Sequence, residues 1–323
     1  MKYDFSKYEH IPAAYVSDPD GFAKPKKAWV EQRKWDIPDV LVVKVAPVGA
    51  FITHADNPHQ KLKNAEIRDE VFACIEAGAC AFHVHVRDEK GNHCLDVKYY
   101  HEVIDPVKQK YGDEVLVCGC PEGGKTVEES TYPIVEFKGI METAPITVTT
   151  VNLTGETLAC TSAEMVQAHV EIMQDVGCKP EIVLHNVGDI SLAKRWLIDT
   201  GLLKKPYSFR IAMGNPGWGY IEDQYSMAAL LPFMFTELKK IDPDCAIMVD
   251  MAGRGGLYIV TMAILLGAYG VRVGMEDALY MYPHQDEKIT SNRPVVEKVI
   301  TIAEALGRRR GTADDYRRFI GLK

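Results

Sequence analysis

The sequence has no uninterrupted apolar run approaching the roughly 20 residues a membrane helix requires, so a helical membrane-spanning protein is excluded. It also has no surplus of positive charge. Against 45 Asp and Glu stand 37 Lys and Arg, a formal net charge of −8, which argues against nucleic acid or an anionic membrane as the main partner. A local basic pocket for a phosphorylated cofactor stays compatible with that balance. The opening MKYDFSKYEHIPAAY contains no apolar core of the kind a secretory signal carries, and a cytoplasmic protein is expected. The eight cysteines lack the spacing of a disulfide framework, which fits reduced and mostly buried thiols. The CGC at Cys118 to Cys120 is neither a zinc knuckle nor a redox pair, and reads as small apolar core residues. Low-complexity stretches and short solenoid repeats are absent.

What is present is 323 residues, 47% hydrophobic and 25% charged, ample for a large core. After a polar, aromatic, proline-containing leader covering residues 1–38, strand-like runs alternate with helix-period segments without a break. The strand candidates are VLVVKVAPVG, CAFHVHVR, EVLVCGC, PITVTTVNL, PEIVLHNVG, YSFRIAMG, CAIMVDMAG and GVRVGMED. Most are β-branched or continuously apolar, as parallel strands buried on both faces must be. Between them lie segments such as NAEIRDEVFACIEAGA, SAEMVQAHVEIMQDVG and PVVEKVITIAEALG, several closing on glycine where a helix C-cap belongs. Eight βα units over residues 39–323 predict a closed α/β barrel of the (β/α)8 TIM type with an N-terminal extension, ahead of a doubly wound open sheet. The density of Tyr, Trp and Pro in the leader predicts an arm packed on the barrel or on a neighbouring subunit.

In such a barrel, chemistry gathers where strands end, so polar residues at the tail of an apolar run carry the information. The run AFHVHVRD places His83, His85 and Arg87 on one face and Phe82, Val84 and Val86 on the other. Two imidazoles about 6.5–7 Å apart along one strand face can converge on a single ion. A third donor is then needed, and VRVGMED supplies Glu276, with Arg272 on the same alternation face and Asp277 beside it. The last strand adjoins the first when a barrel closes, so Glu276 can reach a metal held by the second strand. Two imidazoles and one carboxylate leave an open coordination position, the pattern of a catalytic zinc site.

Other polar groups sit at strand ends. CPEGG offers Gly123 and Gly124 as backbone donors toward an anion. TVTTVNLTG offers Thr149 and Asn152, and His185 ends IVLHNVGD. GNPGWG is not a dinucleotide fingerprint, because it does not open a helix at the required spacing, and a loop covering a long ligand suits it better.

AGACAFHVHVRDEKGNHCLDVKYYHEVI, the strand VRVGMEDALY and the tail SNRPVVEKVITIAEALGRRRGTADDYRRFIGL together resemble the β-keto acid cleavage enzymes, the family of 3-keto-5-aminohexanoate cleavage enzyme. The resemblance runs from about residue 40 to the C-terminus. It implies a TIM barrel assembled as a homotetramer, with a divalent metal, normally zinc, held by His83, His85 and Glu276. It implies a reaction of a β-keto acid with acetyl-CoA that yields acetoacetate and a new acyl-CoA, an acyl transfer through carbon–carbon cleavage, with Arg272 and Asp277 as the pair that deprotonates the substrate. A Lewis-acid metal would stabilise the enolate, and pairing with Arg272 is expected to lower the pKa of Asp277 and weaken it as a base.

The departures concern the substrate. Where members acting on an amino-substituted acid carry a glutamate, VGAFITH has Phe51, which argues against a cationic distal group and for an uncharged or anionic one. CPEGG replaces a serine-threonine turn, and in PEIVLHNVGD the early Glu181 and the late His185 compete for the place of the family's fifth-strand glutamate. The alternative is a barrel metallohydrolase of the amidohydrolase type. It would carry H-x-H on the first strand and need a histidine in YSFRIAMG, which has none. A third reading is a metal-stabilised binding protein without catalysis.

Overall fold

The computed structural model describes residues 3–11, 26–153, 157–218 and 221–323. Much of the leader, the end of TVTTVNLTG and the last glycine of GNPGWG lie outside the described residues. Contacts divide the chain into an N-terminal unit, Met1–Asp36, and a second unit, Ile37–Lys323. Among the described residues of the first, a 3-10 turn at Ser6–Tyr8 clusters Tyr3 against Phe5 and Tyr8, and a short helix spans Lys27–Val30.

The second unit is a closed parallel barrel. Its strands are β1 (Val40–Val45), β2 (Ala81–His83), β3 (Leu116–Cys118), β4 (Met141–Thr147), β5 (Lys179–Leu184), β6 (Ser208–Ile211), β7 (Ala246–Asp250) and β8 (Gly270–Val273). Each pairs in parallel with the next, and β8 returns to β1 through Val42↔Gly270 to Val45↔Val273. The open-sheet alternative is thereby excluded. All six residues of β1 are buried, because its outer face meets helices and its inner face fills the barrel. The helices after successive strands are α1 (Asn64–Ala77), α2 (Val97–Tyr111), α3 (Val127–Glu136), α4 (Ala163–Asp175), α5 (Val187–Ala193), α6 (Gln224–Ile241), α7 (Gly256–Leu265) and α8 (Arg293–Ala305). Side-chain caps from Asp96, Thr126, Ser162, Asn186 and Asp223 start five of them, each occupying a backbone N–H the helix leaves unpaired. At Gly78 a φ of 114° ends α1, a conformation open to glycine and strained for other residues.

Two strand expectations shift. β2 stops at His83, and Val86–Arg87 leaves the barrel to pair antiparallel with His93–Cys94. β4 begins four residues before PITVTT, and Val151–Leu153 forms a separate hairpin with Thr157–Ala159. In both places one apolar run continues past the barrel into a hairpin, and residue pattern alone does not mark the corner.

A ninth helix, α9 (Ala313–Ile320), closes the floor, packing Ala313, Tyr316 and Ile320 with Val42, Ala81, Leu116 and Met248. Tyr316 donates its hydroxyl proton to Glu181, and Lys44 Nζ donates to Glu181 Oε2 at 2.5 Å and to the Tyr316 oxygen at 3.1 Å. Burial pushes the Glu181 carboxyl up, but Lys44 and Arg210 outweigh it and hold it below its ordinary value. The carboxylate therefore belongs to the floor, not to the mouth.

Lys44→Met should destabilise the fold by about 3–5 kcal/mol in urea unfolding, because it strands a buried carboxylate, while Lys44→Met/Glu181→Leu should recover most of that loss. A second expectation concerns acid. Asp315 accepts from Thr312 and Arg309 at the start of α9; burial pushes its carboxyl up, yet these partners hold it at about 2. Its stabilising contribution is complete above its ordinary value near 3.8 and disappears as pH falls toward about 2. Asp315→Asn should flatten that part of a stability-versus-pH profile.

Candidate functional site

Two imidazoles meet at the barrel mouth because β2 delivers His83 at its last position and the chain then bends. Both rings are buried, and His83 Nε2 lies 3.2 Å from His85 Nε2. Their outer nitrogens have partners that assign the protons. His93 Nε2 faces the Glu122 carbonyl at 3.1 Å, which only accepts, so this nitrogen carries the hydrogen and His93 Nδ1 is left as an acceptor. His85 Nδ1, 3.4 Å from it, is then the donor, and His85 Nε2 faces His83 and Glu276. His83 Nδ1 lies 3.4 Å from the Cys118 sulfur, whose single S–H has an acceptor of its own in the Gly119 carbonyl or the Glu181 carboxylate, so the sulfur accepts from Nδ1. The Nε2 of the neutral His83 ring is then left with a lone pair. Burial, reinforced by Arg272 and opposed by Glu276, holds His83 well below the usual imidazole range, so the ring is neutral.

Glu276 completes the group. After β8 the chain turns at Gly274, and Glu276 N donates to the Ala46 carbonyl at 3.2 Å, pinning the residue to the start of the β1 loop. Its Oε1 stands 3.7 Å from His83 Nε2 and 3.5 Å from His85 Nε2. Its Oε2 is buried without a hydrogen-bond partner. Burial pushes this carboxyl up, but the Arg272 guanidinium outweighs it, and Glu276 is held ionised well below its usual range. Gly49 is required here: a Cβ on it would sit 2.4 Å from Glu276 Cγ.

The donors suit a small divalent cation. Ligands about 2.0–2.1 Å from a tetrahedral zinc lie roughly 3.3–3.4 Å from one another, and these three are separated by 3.2, 3.5 and 3.7 Å. Three ligand atoms, one of them on an ionised carboxylate, thus converge from different strands on one small buried space, which favours a cation. Cys120 is a competing third donor, its sulfur lying with the two histidine donors in a group within 4.8 Å. Glu276 is already ionised, whereas burial holds the Cys120 thiol well above its usual value and hence protonated. The sequence reading of Cys118 and Cys120 as core residues therefore needs extending, since Cys118 also orients His83.

Behind this group, charges of alternating sign run down the barrel axis. Arg272 donates to Glu276 Oε1 at 2.9 Å and to Asp277, and its Nε lies 3.4 Å from Asp250, which lies 3.0 Å from Arg210 Nε. Arg210 approaches Glu181 at 3.8 Å. Asp277 departs from expectation. Burial, with Glu276 and Asp250 adding to it, outweighs the pull of Arg272 and pushes its carboxyl up to about 8. Pairing with arginine thus does not make it a weak base, because burial, helped by the neighbouring Glu276 and Asp250 carboxylates, outweighs that pairing.

The remaining candidates separate. His185 lines the small mouth pocket of about 50 Å³ that holds Arg210, Asp250, Arg272, Glu276 and Asp277; its Nδ1 donates to the Ala212 carbonyl at 2.9 Å. Phe51 and Trp218 line that pocket and also an adjoining cavity of about 430 Å³, which Gly123 and Gly124 border. Thr149 is not brought to either; its hydroxyl pairs with Asp189, as does the His185 backbone N–H. Asn152 is exposed on the hairpin and lines neither space. Sequence reasoning missed Asp250, His93 and Trp218 as site residues. Asp250 ends β7 and was open to the strand-end rule, whereas His93 is brought in by the hairpin register Arg87↔His93, which no spacing reveals.

A closed parallel barrel with imidazoles, carboxylates and an arginine gathered at its strand ends defines a TIM-barrel enzyme. The sequence profile of the beta-keto acid cleavage enzymes matches residues 40–322, and the chain belongs to that family. It is 27% identical to a 3-keto-5-aminohexanoate cleavage enzyme of Fusobacterium nucleatum over 286 residues, 88% of this chain and 98% of that protein. To the enzyme of the same name from Acetoanaerobium sticklandii it is 27% identical over 283 residues, 87% of this chain and 98% of the other. Among solved structures, apo ObcA superposes with a TM-score of 0.68 at 19% identity, covering 82% of this chain and 66% of ObcA. That likeness bears on the fold alone.

Gly49→Ala should displace Glu276 and lower divalent-cation affinity by about 10–100-fold in a chelator competition, the range for loss of a group that positions a ligand. Unchanged affinity would show that Glu276 is not needed.

Proposed function

We propose that the protein exchanges acyl groups between a β-keto acid and acetyl-CoA, releasing acetoacetate and a new acyl-CoA, with a divalent metal, zinc by its donor set, held by His83, His85 and Glu276. The observation that carries this reading is the convergence of those three donors beside Asp277 and Arg272, in a chain of this family. Bound there, the cation would act as a Lewis acid on the carboxylate and ketone oxygens of the keto acid.

Asp277, with a pKa near working pH, takes a proton from the carbon between carboxylate and ketone and later returns it. Arg272 holds Asp277 in place, and its Nη1, buried and without a partner, is available to a substrate oxygen. The α-carbon then bonds to the thioester carbonyl and the CoA thiolate leaves. That thiolate adds to the original ketone carbon, the older carbon–carbon bond breaks, and acetoacetate departs. His185 lines the same pocket as a hydrogen-bonding wall, and no covalent link to the enzyme is needed.

Several observations lend support. The ObcA structures include one with a C4-CoA adduct and oxalate, which places a CoA derivative among the ligands of that barrel. No helix among the described residues is long and apolar enough to cross a membrane. The proposal extends to a homotetramer, which the family resemblance implies, and to the cytoplasm, which the sequence composition suggests.

Purified protein should carry about one zinc per chain by elemental analysis, and His83→Ala should lose it. With acetyl-CoA and β-keto acids longer than acetoacetate, the enzyme should form acetoacetate and the matching acyl-CoA; free acid without CoA exchange would indicate hydrolysis instead. Asp277→Asn should keep the metal and lose about 10²–10⁴ in kcat, the usual range for a removed general base; a normal rate would remove Asp277 from the mechanism.

A further inference from the structure

We propose that the keto acid this enzyme accepts carries an apolar distal chain, seated in the 430 Å³ cavity that adjoins the mouth pocket through Phe51 and Trp218. The inference rests on the reaction proposed above and names its substrate class.

The cavity lies over the end of β4, between that strand, the paired segments Val151–Leu153 and Thr157–Ala159, and α4. Its apolar walls are Ile146, Val151, Leu153, Leu158, Met165 and Val166. Its size is within the range of small-molecule sites. No Lys, Arg or Asp stands among its described lining residues, and Glu122 is the one carboxylate. An anionic distal group would therefore find only the His169 imidazole, already tied through Nδ1 to the Met165 carbonyl at 2.7 Å, and would meet a repelling charge at Glu122. A cationic one would have Glu122 to pair with, but at the cost of desolvating an ammonium against aliphatic walls. An alkyl or aryl group incurs neither penalty.

Two further details point the same way. Phe51 and Leu158 are 51% and 63% exposed, large apolar surface that is costly in water and is placed where a ligand would cover it. Phe51 also meets Trp218 edge to face at 6.2 Å, and Trp218 lies 5.4 Å from His185. These rings form the boundary between the charged pocket and the apolar cavity, so a substrate with its carboxylate in the first extends naturally into the second.

The test measures kcat/KM with saturating acetyl-CoA for a straight-chain series from 3-oxopentanoate to 3-oxodecanoate, with 5-amino-3-oxohexanoate alongside. Burial of each added methylene should raise kcat/KM about fourfold until the cavity is filled. Leu158→Asp should lower the ratio of long-chain to short-chain kcat/KM at least tenfold, and Leu158→Met should restore it. A flat or falling series, or a preference for the amino acid, overturns the inference while leaving the acyl exchange intact. So does a Leu158→Asp variant that raises KM for acetyl-CoA and leaves the chain-length series unchanged, since the thioester arm would then be the occupant. If no keto acid is turned over, the reaction fails, and decanoate binding by calorimetry decides the cavity: binding weakened at least tenfold by Leu158→Asp supports the apolar assignment, and no binding overturns it.

Discussion

Two imidazoles, that of His83 neutral, crowd their donor atoms against an ionised carboxylate in a buried space. That crowding is the constraint on which the mouth of this barrel depends. It is enforced from outside the group. The Glu122 carbonyl fixes the proton of His93, His93 fixes that of His85, and Cys118 does the same for His83. Gly49 leaves the volume in which Glu276 can stand. Binding of a cation to such a set is coupled to the fold that assembles it.

The same electrostatic logic extends down the barrel. A charged group in a dry core is stable only when paired, and here the pairing is continuous, from Glu276 and Asp277 through Arg272, Asp250 and Arg210 to Glu181, Lys44 and Tyr316. Arg272 is shared among three carboxylates, with different results. Against burial, that guanidinium holds Glu276 ionised, whereas burial, helped by the Glu276 and Asp250 carboxylates, drives Asp277 up to about 8. Two adjacent carboxyl groups thus acquire different properties, one suited to holding a cation and the other to moving a proton.

Much of this was legible in the sequence because it depends on periodicity and on residue type at strand ends. Continuous β-branched runs alternating with helix-period segments define the barrel, and H-x-H with R-x-x-x-E-D marks its first and last contributions. The parts that were not legible depend on geometry. Thr149 and Asn152 have the right chemistry in the right segment, but the chain leaves the barrel after β4, sending one to Asp189 and the other to the surface. His93 reaches His85 through a hairpin, and the pKa of Asp277 depends on Asp250, contributed by a different strand. Pairwise reasoning from sequence gave Arg272 to Asp277 alone, whereas three-dimensional packing divides it.

The central claim is that His83, His85 and Glu276 grip one ion. The most direct measurement is anomalous diffraction from crystals of the purified protein, recorded on either side of the zinc absorption edge. The account predicts a single difference peak at bonding distance from His83 Nε2, His85 Nε2 and a Glu276 oxygen. A metal peak elsewhere, or a zinc-soaked crystal in which these three side chains remain as they are with no peak among them, would contradict it.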